Sequence, residues 1–182
     1  MPRPVFLILL SPPPEDDRPH HWSLFVPEPG RPSSGKYITL GRSSLSGSGA
    51  YFRIYKHGYD LDALSPAPIA GSADDSRGQG ASEEEQQQTR RNLPNFERLY
   101  LGSVPDAWVV DLVCNDQSTG ADEADDIFVV EAERVDVPAW VSRGESLQRA
   151  SQSWIAAFIR RLIEVGILSI SAHNVVENAY GK

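Results

Sequence analysis

Two stretches of the 182-residue chain hold side chains whose types suit joint chemistry, one near each end. His21 opens the run His21-Trp22-Ser23-Leu24-Phe25, and Ser151 lies in Arg149-Ala150-Ser151-Gln152-Ser153-Trp154. The second run leads into an amphipathic pattern, which puts Ser151 at the expected N-terminus of a helix. A hydroxyl there would have orphan backbone N–H groups beside it to stabilise an oxyanion. The positive end of the helix dipole would favour developing negative charge. An imidazole from a neighbouring strand would be the base that a serine nucleophile needs. The plainer roles are a helix cap for Ser151 and a satisfied strand-edge position for His21.

Other chemistry-bearing residues are sparser. No two of His20, His21, His57 and His173 are spaced as a metal pair on one helix face. Asp122, Glu123, Asp125 and Asp126 lack the glycine and ligand spacing of a calcium loop, and read as a solvated acidic stretch. Gly47-Ser48-Gly49 has no lysine and no helix pattern after it, so it is no phosphate cradle. Cys114 sits in an apolar run and reads as a small buried residue. No metal and no cofactor are expected. Trp22 and Trp154 read as core anchors, and Arg160 and Arg161 as a solvated helix face. Trp108 and Trp140 flank the acidic stretch as a candidate apolar patch for a partner.

The elements that would position His21 and Ser151 follow from apolar spacing. Residues 5–10 form a continuous apolar run ended by Pro12-Pro13-Pro14, too short for a signal-peptide core, and read as a buried strand. Residues 21–26, 36–40 and 51–55 read as three more short strands, with a turn over 27–35 and a Ser/Gly loop over 43–49. Strands in close succession favour an antiparallel sheet. Residues 71–91 are nearly devoid of apolar side chains and read as a disordered insertion, and 115–126 as an acidic loop. A fifth strand is expected over 96–104, while 108–113 is ambiguous and 127–135 leans to helix. The clearest helix runs from about 151 to 165: Trp154, Phe158 and Leu162 recur every fourth residue beside Ile155, Ile159 and Ile163, and Gly166 sits where a left-handed cap is wanted. A last short helix is expected over 172–179, with Ser171 as its N-cap.

His21-Trp22, the strand 37–41, Leu101-Gly102-Ser103-Val104, 135–138 and 151–168 together resemble a group of small, mostly fungal proteins. Those proteins share a His-Trp … Asn-Cys-Gln-x-Trp pattern. Their layout is similar to circularly permuted papain-like folds of the NlpC/P60, lecithin:retinol acyltransferase and PPPDE type. The resemblance implies a strand histidine at His21, a nucleophile position at Ser151 and a retained Gln152. The chain departs from the pattern where Ala150-Ser151 stands for Asn-Cys, and where Tyr37, Ile38 and Thr39 stand at a strand that commonly carries a second histidine. A serine hydroxyl is far harder to activate than a thiol.

Composition bounds the rest. Hydrophobic residues make up 40% of the chain, enough for one core at this length. A net charge of −8 disfavours phosphate backbones and anionic lipid, so neither nucleic acid nor membrane is an expected partner. One cysteine permits no internal disulfide, which fits a reducing, cytoplasmic setting. The expectation is a single α+β domain over 1–182: a small antiparallel sheet packed on a long C-terminal amphipathic helix, with polar insertions. Its expected function is a papain-like domain with a degenerate site, acting by binding an unknown protein or small molecule. The alternatives are a Ser/His acyl-transfer or hydrolase enzyme, or a fold recruited to cyclisation or isomerisation through His21.

Overall fold

The computed structural model describes residues 1–11, 20–42, 51–61, 96–109, 126–138 and 146–180. The expected insertion at 71–91, residues 115–125 of the acidic stretch, Cys114 and Trp140 lie outside them.

Five strands, β1 (Pro2–Leu10), β2 (His21–Glu28), β3 (Arg31–Arg42), β4 (Tyr51–Asp60) and β5 (Phe96–Pro105), form one antiparallel sheet in the order β4-β3-β2-β1-β5. Side chains of a strand alternate between faces, and directly paired residues share a face. The apolar run of β1 therefore serves both sides. Val5, Leu7 and Leu9 join Trp22, Leu24, Val26, Ile38 and Leu40 in the main core, while Ile8 joins Phe25, Tyr37 and Leu61 in a smaller cluster opposite, flanked by Phe6 and Leu10. That is why residues 5–10 are continuously apolar rather than alternating.

Among the described residues three α-helices follow: α1 (Ile127–Glu133), α2 (Leu147–Glu164) and α3 (Ser171–Ala179). Of the two apolar rows expected on the second helix, all but Ile163 are buried, and Ile163 is partly buried against the core. Trp154, Ile155, Phe158, Ile159 and Leu162 pack into the main core, with α2 against β2 and β3 and α3 against β5. Gly166 has φ +79, the left-handed conformation that ends a helix.

Four local expectations are corrected. The stretch 27–35 is strand rather than turn apart from Pro29-Gly30, because Glu28 pairs with Arg31 and Gly30 takes φ +74. Proline followed by a positive-φ glycine closes a two-residue hairpin without strain. The second helix begins at Leu147, capped by Ser146, whose hydroxyl accepts the Arg149 N–H at 3.3 Å. Ser171 is the first residue of α3 rather than its cap; its own N–H donates to the Ser169 hydroxyl at 3.1 Å. Asp126 is not a solvated acid. It is fully buried and caps α1, because two orphan amides and a buried lysine compensate its charge.

Candidate functional site

His21 and Ser151 both stand where β2 begins, but on different faces of the sheet. His21 pairs with Leu10, and Ser23, two residues on, pairs with Thr39. This parity puts the imidazole on the face of the smaller cluster, where its Nε2 lies 2.7 Å from Thr39 Oγ1. Thr39 donates its proton to the Trp22 carbonyl at 3.1 Å. With that proton committed, His21 donates through Nε2, and Nδ1 is left as the basic nitrogen. Burial lowers the His21 pKa from 6.5 to about 4, so the ring is neutral at neutral pH. The hydroxyl chain continues: Ser23 Oγ donates to Tyr37 Oη at 2.6 Å and lies 3.2 Å from Thr39 Oγ1. Burial also raises Tyr37, to about 12. His21, Thr39, Ser23 and Tyr37 thus form an uncharged polar row within an apolar face.

Ser151 belongs to the other face. It is fully buried in the fifth position of α2, one turn past the helix start, so the orphan amides of the helix end lie a turn behind it. Its hydroxyl donates to the Gln148 carbonyl at 2.7 Å and accepts the Trp22 N–H at 3.1 Å. The paired register of β2 with β3 ends at Ser23 and Thr39. Trp22, just beyond, has its N–H taken by Ser151 and its C=O by Thr39. Two side-chain hydroxyls thereby replace a missing rung of the ladder, which meets the requirement that buried backbone polar groups be paired. No hydrogen bond joins His21 to Ser151.

Gln152 does approach the same strand, donating from Nε2 to the His20 carbonyl at 3.1 Å. His20 itself is 3.2 Å from the Ser11 hydroxyl through Nδ1, and His173 lies 3.9 Å from Glu177 on α3. Trp22 and Trp154 are buried in the core, and Trp108 is partly exposed. Arg161 departs from the expected solvated face: its Nε donates at 2.7 Å to Glu131, a buried carboxylate that Arg134 also contacts at 2.5 Å. An acid one turn from an apolar patch can be kept inside when two guanidinium groups reach it. Among the described residues no group of three His, Cys, Asp or Glu could hold a metal ion, and no helix is long and apolar enough to cross a membrane.

Two features escaped the reading of residue spacing. One is a buried ion pair between Lys36 on β3 and Asp126, each with a side chain 1% exposed. Its signal was present in Lys36, two residues before Ile38, which puts a lysine on the core face of a strand, where it needs an acid. The other is a cleft of about 460 Å³ between the start of β1 and the β2–β3 turn, lined by Pro2, Pro4, Pro29, Pro32, Arg31 and Asp106 among others. Along β2 it lies roughly 20 Å from His21, since a strand rises about 3.3 Å per residue. At its edge the buried Arg3 guanidinium donates to the Pro27 carbonyl at 3.0 and 2.6 Å and lies 3.7 Å from Asp106.

Comparison of the chain with protein-family models, with curated proteins and with solved structures finds no match.

Proposed function

We propose that this chain is a diverged papain-like domain acting by binding, as a cytoplasmic accessory protein, and not through a Ser/His nucleophile pair. What carries the reading is the Ser151 hydroxyl. Its single proton goes to Gln148, its lone pair takes the Trp22 N–H, and the imidazole that would activate it lies across the sheet. A serine used as a backbone surrogate is a poor nucleophile, because attack would require breaking two hydrogen bonds first, one of them buried. The layout of strands first, followed by a helix bearing position 151 against the histidine strand, supports the papain-like scaffold. A concave surface available to a partner among the described residues is the proline-lined cleft at the far end of β2, where Arg31, Glu28 and Asp106 offer charges of both signs.

The test is labelling of the folded protein with a fluorophosphonate, followed by peptide mapping. Ser151 is expected to remain unmodified at reagent concentrations that label an active serine hydrolase completely. Stoichiometric modification of Ser151, lost in His21→Ala, would overturn the reading in favour of an acyl-transfer enzyme.

A further inference from the structure

Lys36 and Asp126 are ninety positions apart in sequence and meet inside the core. Lys36 lies on the helix-bearing face of β3, paired in register with Val26 and two residues from Ile38, both fully buried. The pairing of β3 with β4 is irregular there: Gly35 opposes Tyr59 while Tyr37 opposes Lys56, so His57 and Gly58 both face the single residue Lys36. Such bulges re-aim a side chain out of the regular pleat.

The carboxylate is held asymmetrically. Asp126 Oδ1 accepts the N–H groups of Phe128 at 2.9 Å and Val129 at 3.4 Å. Oδ2 faces the Lys36 ammonium and, among the described residues, receives no other hydrogen bond. An ion pair this deep can shed its charge by moving one proton from nitrogen to oxygen, since desolvation penalises both ions. What results is a neutral amine facing a neutral carboxylic acid.

We propose that Lys36 and Asp126 condense into an intramolecular isopeptide bond that ties β3 to the start of α1. Lys36 Nζ attacks Asp126 Cγ, and negative charge develops on Oδ1, where the two backbone N–H groups already point. The Nζ–Cγ bond forms and the Cγ–Oδ2 bond breaks. Of the three ammonium protons, two leave on Oδ2 as water and one stays on the amide nitrogen. The products are one amide and one water, with no oxidant, metal or co-reactant. The bond is independent of whatever the chain binds.

The experiment is the mass of the purified, denatured and reduced wild-type chain, followed by a tryptic map. The expected mass is one water below that of the sequence. Arg3, Arg18 and Arg31 each precede proline, so an unlinked chain releases 1–36 as one tryptic peptide. The linked chain instead yields 1–42, uncut at Lys36, joined to 99–134, and Lys36→Arg restores the full mass. A wild-type chain at full mass, with 1–36 and 99–134 recovered separately, leaves an ion pair only and overturns the proposal. Loss of water without a joined peptide assigns the change to a succinimide at Asp126-Ile127, and overturns it equally.

Discussion

The Ser151 hydroxyl accepts the backbone N–H of Trp22 at 3.1 Å, and so joins the second helix to the first residues of the second strand across 129 positions of sequence. Ser151→Ala removes the acceptor and leaves a buried N–H unpaired, at a cost of about 1–3 kcal/mol. Urea denaturation should show a lower midpoint with an unchanged slope. A variant as stable as the wild type would mean that Trp22 finds another partner and that Ser151 is free for other work.

His21 gives the fold an acid-sensitive point. Its pKa is near 6.5 in the unfolded chain and about 4 in the folded one, because burial penalises the charged ring. Between those values the unfolded state binds more protons, so stability falls as pH drops below about 6.5 and levels off below about 4. This group contributes no pH dependence above 7. The loss across the window is at most about 3 kcal/mol, at 1.36 kcal/mol for each pKa unit. His21→Gln should remove this part of the slope, and NMR titration of the ring should give a midpoint near 4. A midpoint near 6.5 would show that the imidazole is solvated.

Glu131 joins the first two helices through Arg161. Arg161→Met removes the guanidinium that reaches it from α2, leaving the buried carboxylate to Arg134. The expected cost is about 1–3 kcal/mol, the range for an under-satisfied buried polar group. The double variant Arg161→Met/Glu131→Met should recover part of it, because an apolar pair of similar volume avoids the desolvation penalty. A double variant less stable than Arg161→Met alone would contradict this account of the contact.

Gly35 tests how tightly the β2–β3 hairpin is closed. A Cβ at this position would overlap the Val26 carbonyl oxygen and the Pro27 Cα, both backbone atoms that cannot rotate away. Gly35→Ala should cost about 1–3 kcal/mol as the strands shift apart. Gly30→Ala meets no atom within 4 Å but is strained at φ +74, so it should cost about 1–2 kcal/mol by a different route. Thermal melts measure both losses, and a Gly35→Ala variant as stable as the wild type would contradict the close approach of the two strands.

Among the described elements, the fourth strand and the second helix were legible because their apolar residues repeat at two or near 3.6, the first strand because its run is continuously apolar, while 127–135 carried no clear period. Trp154, Phe158 and Leu162 could face only one way on a helix, and they do face the core. Helix and turn boundaries were less legible. Ser146 and Ser151 are the same residue type near the same helix start, and which of them caps is decided by where the chain enters, not by composition.

By itself the sequence determined that this chain builds one antiparallel sheet covered by an amphipathic helix, with His21 at a strand end and Ser151 on the helix. Only the tertiary structure decided that those two side chains lie across the sheet from each other. A strand turns successive side chains to opposite faces, so whether His21 or Trp22 looks toward the helix depends on register with Leu9 and Leu10, a property of the paired strands and not of either one. The same holds for Lys36 and Asp126: an isolated lysine and an isolated acid carry no mark of each other until packing closes them off from water.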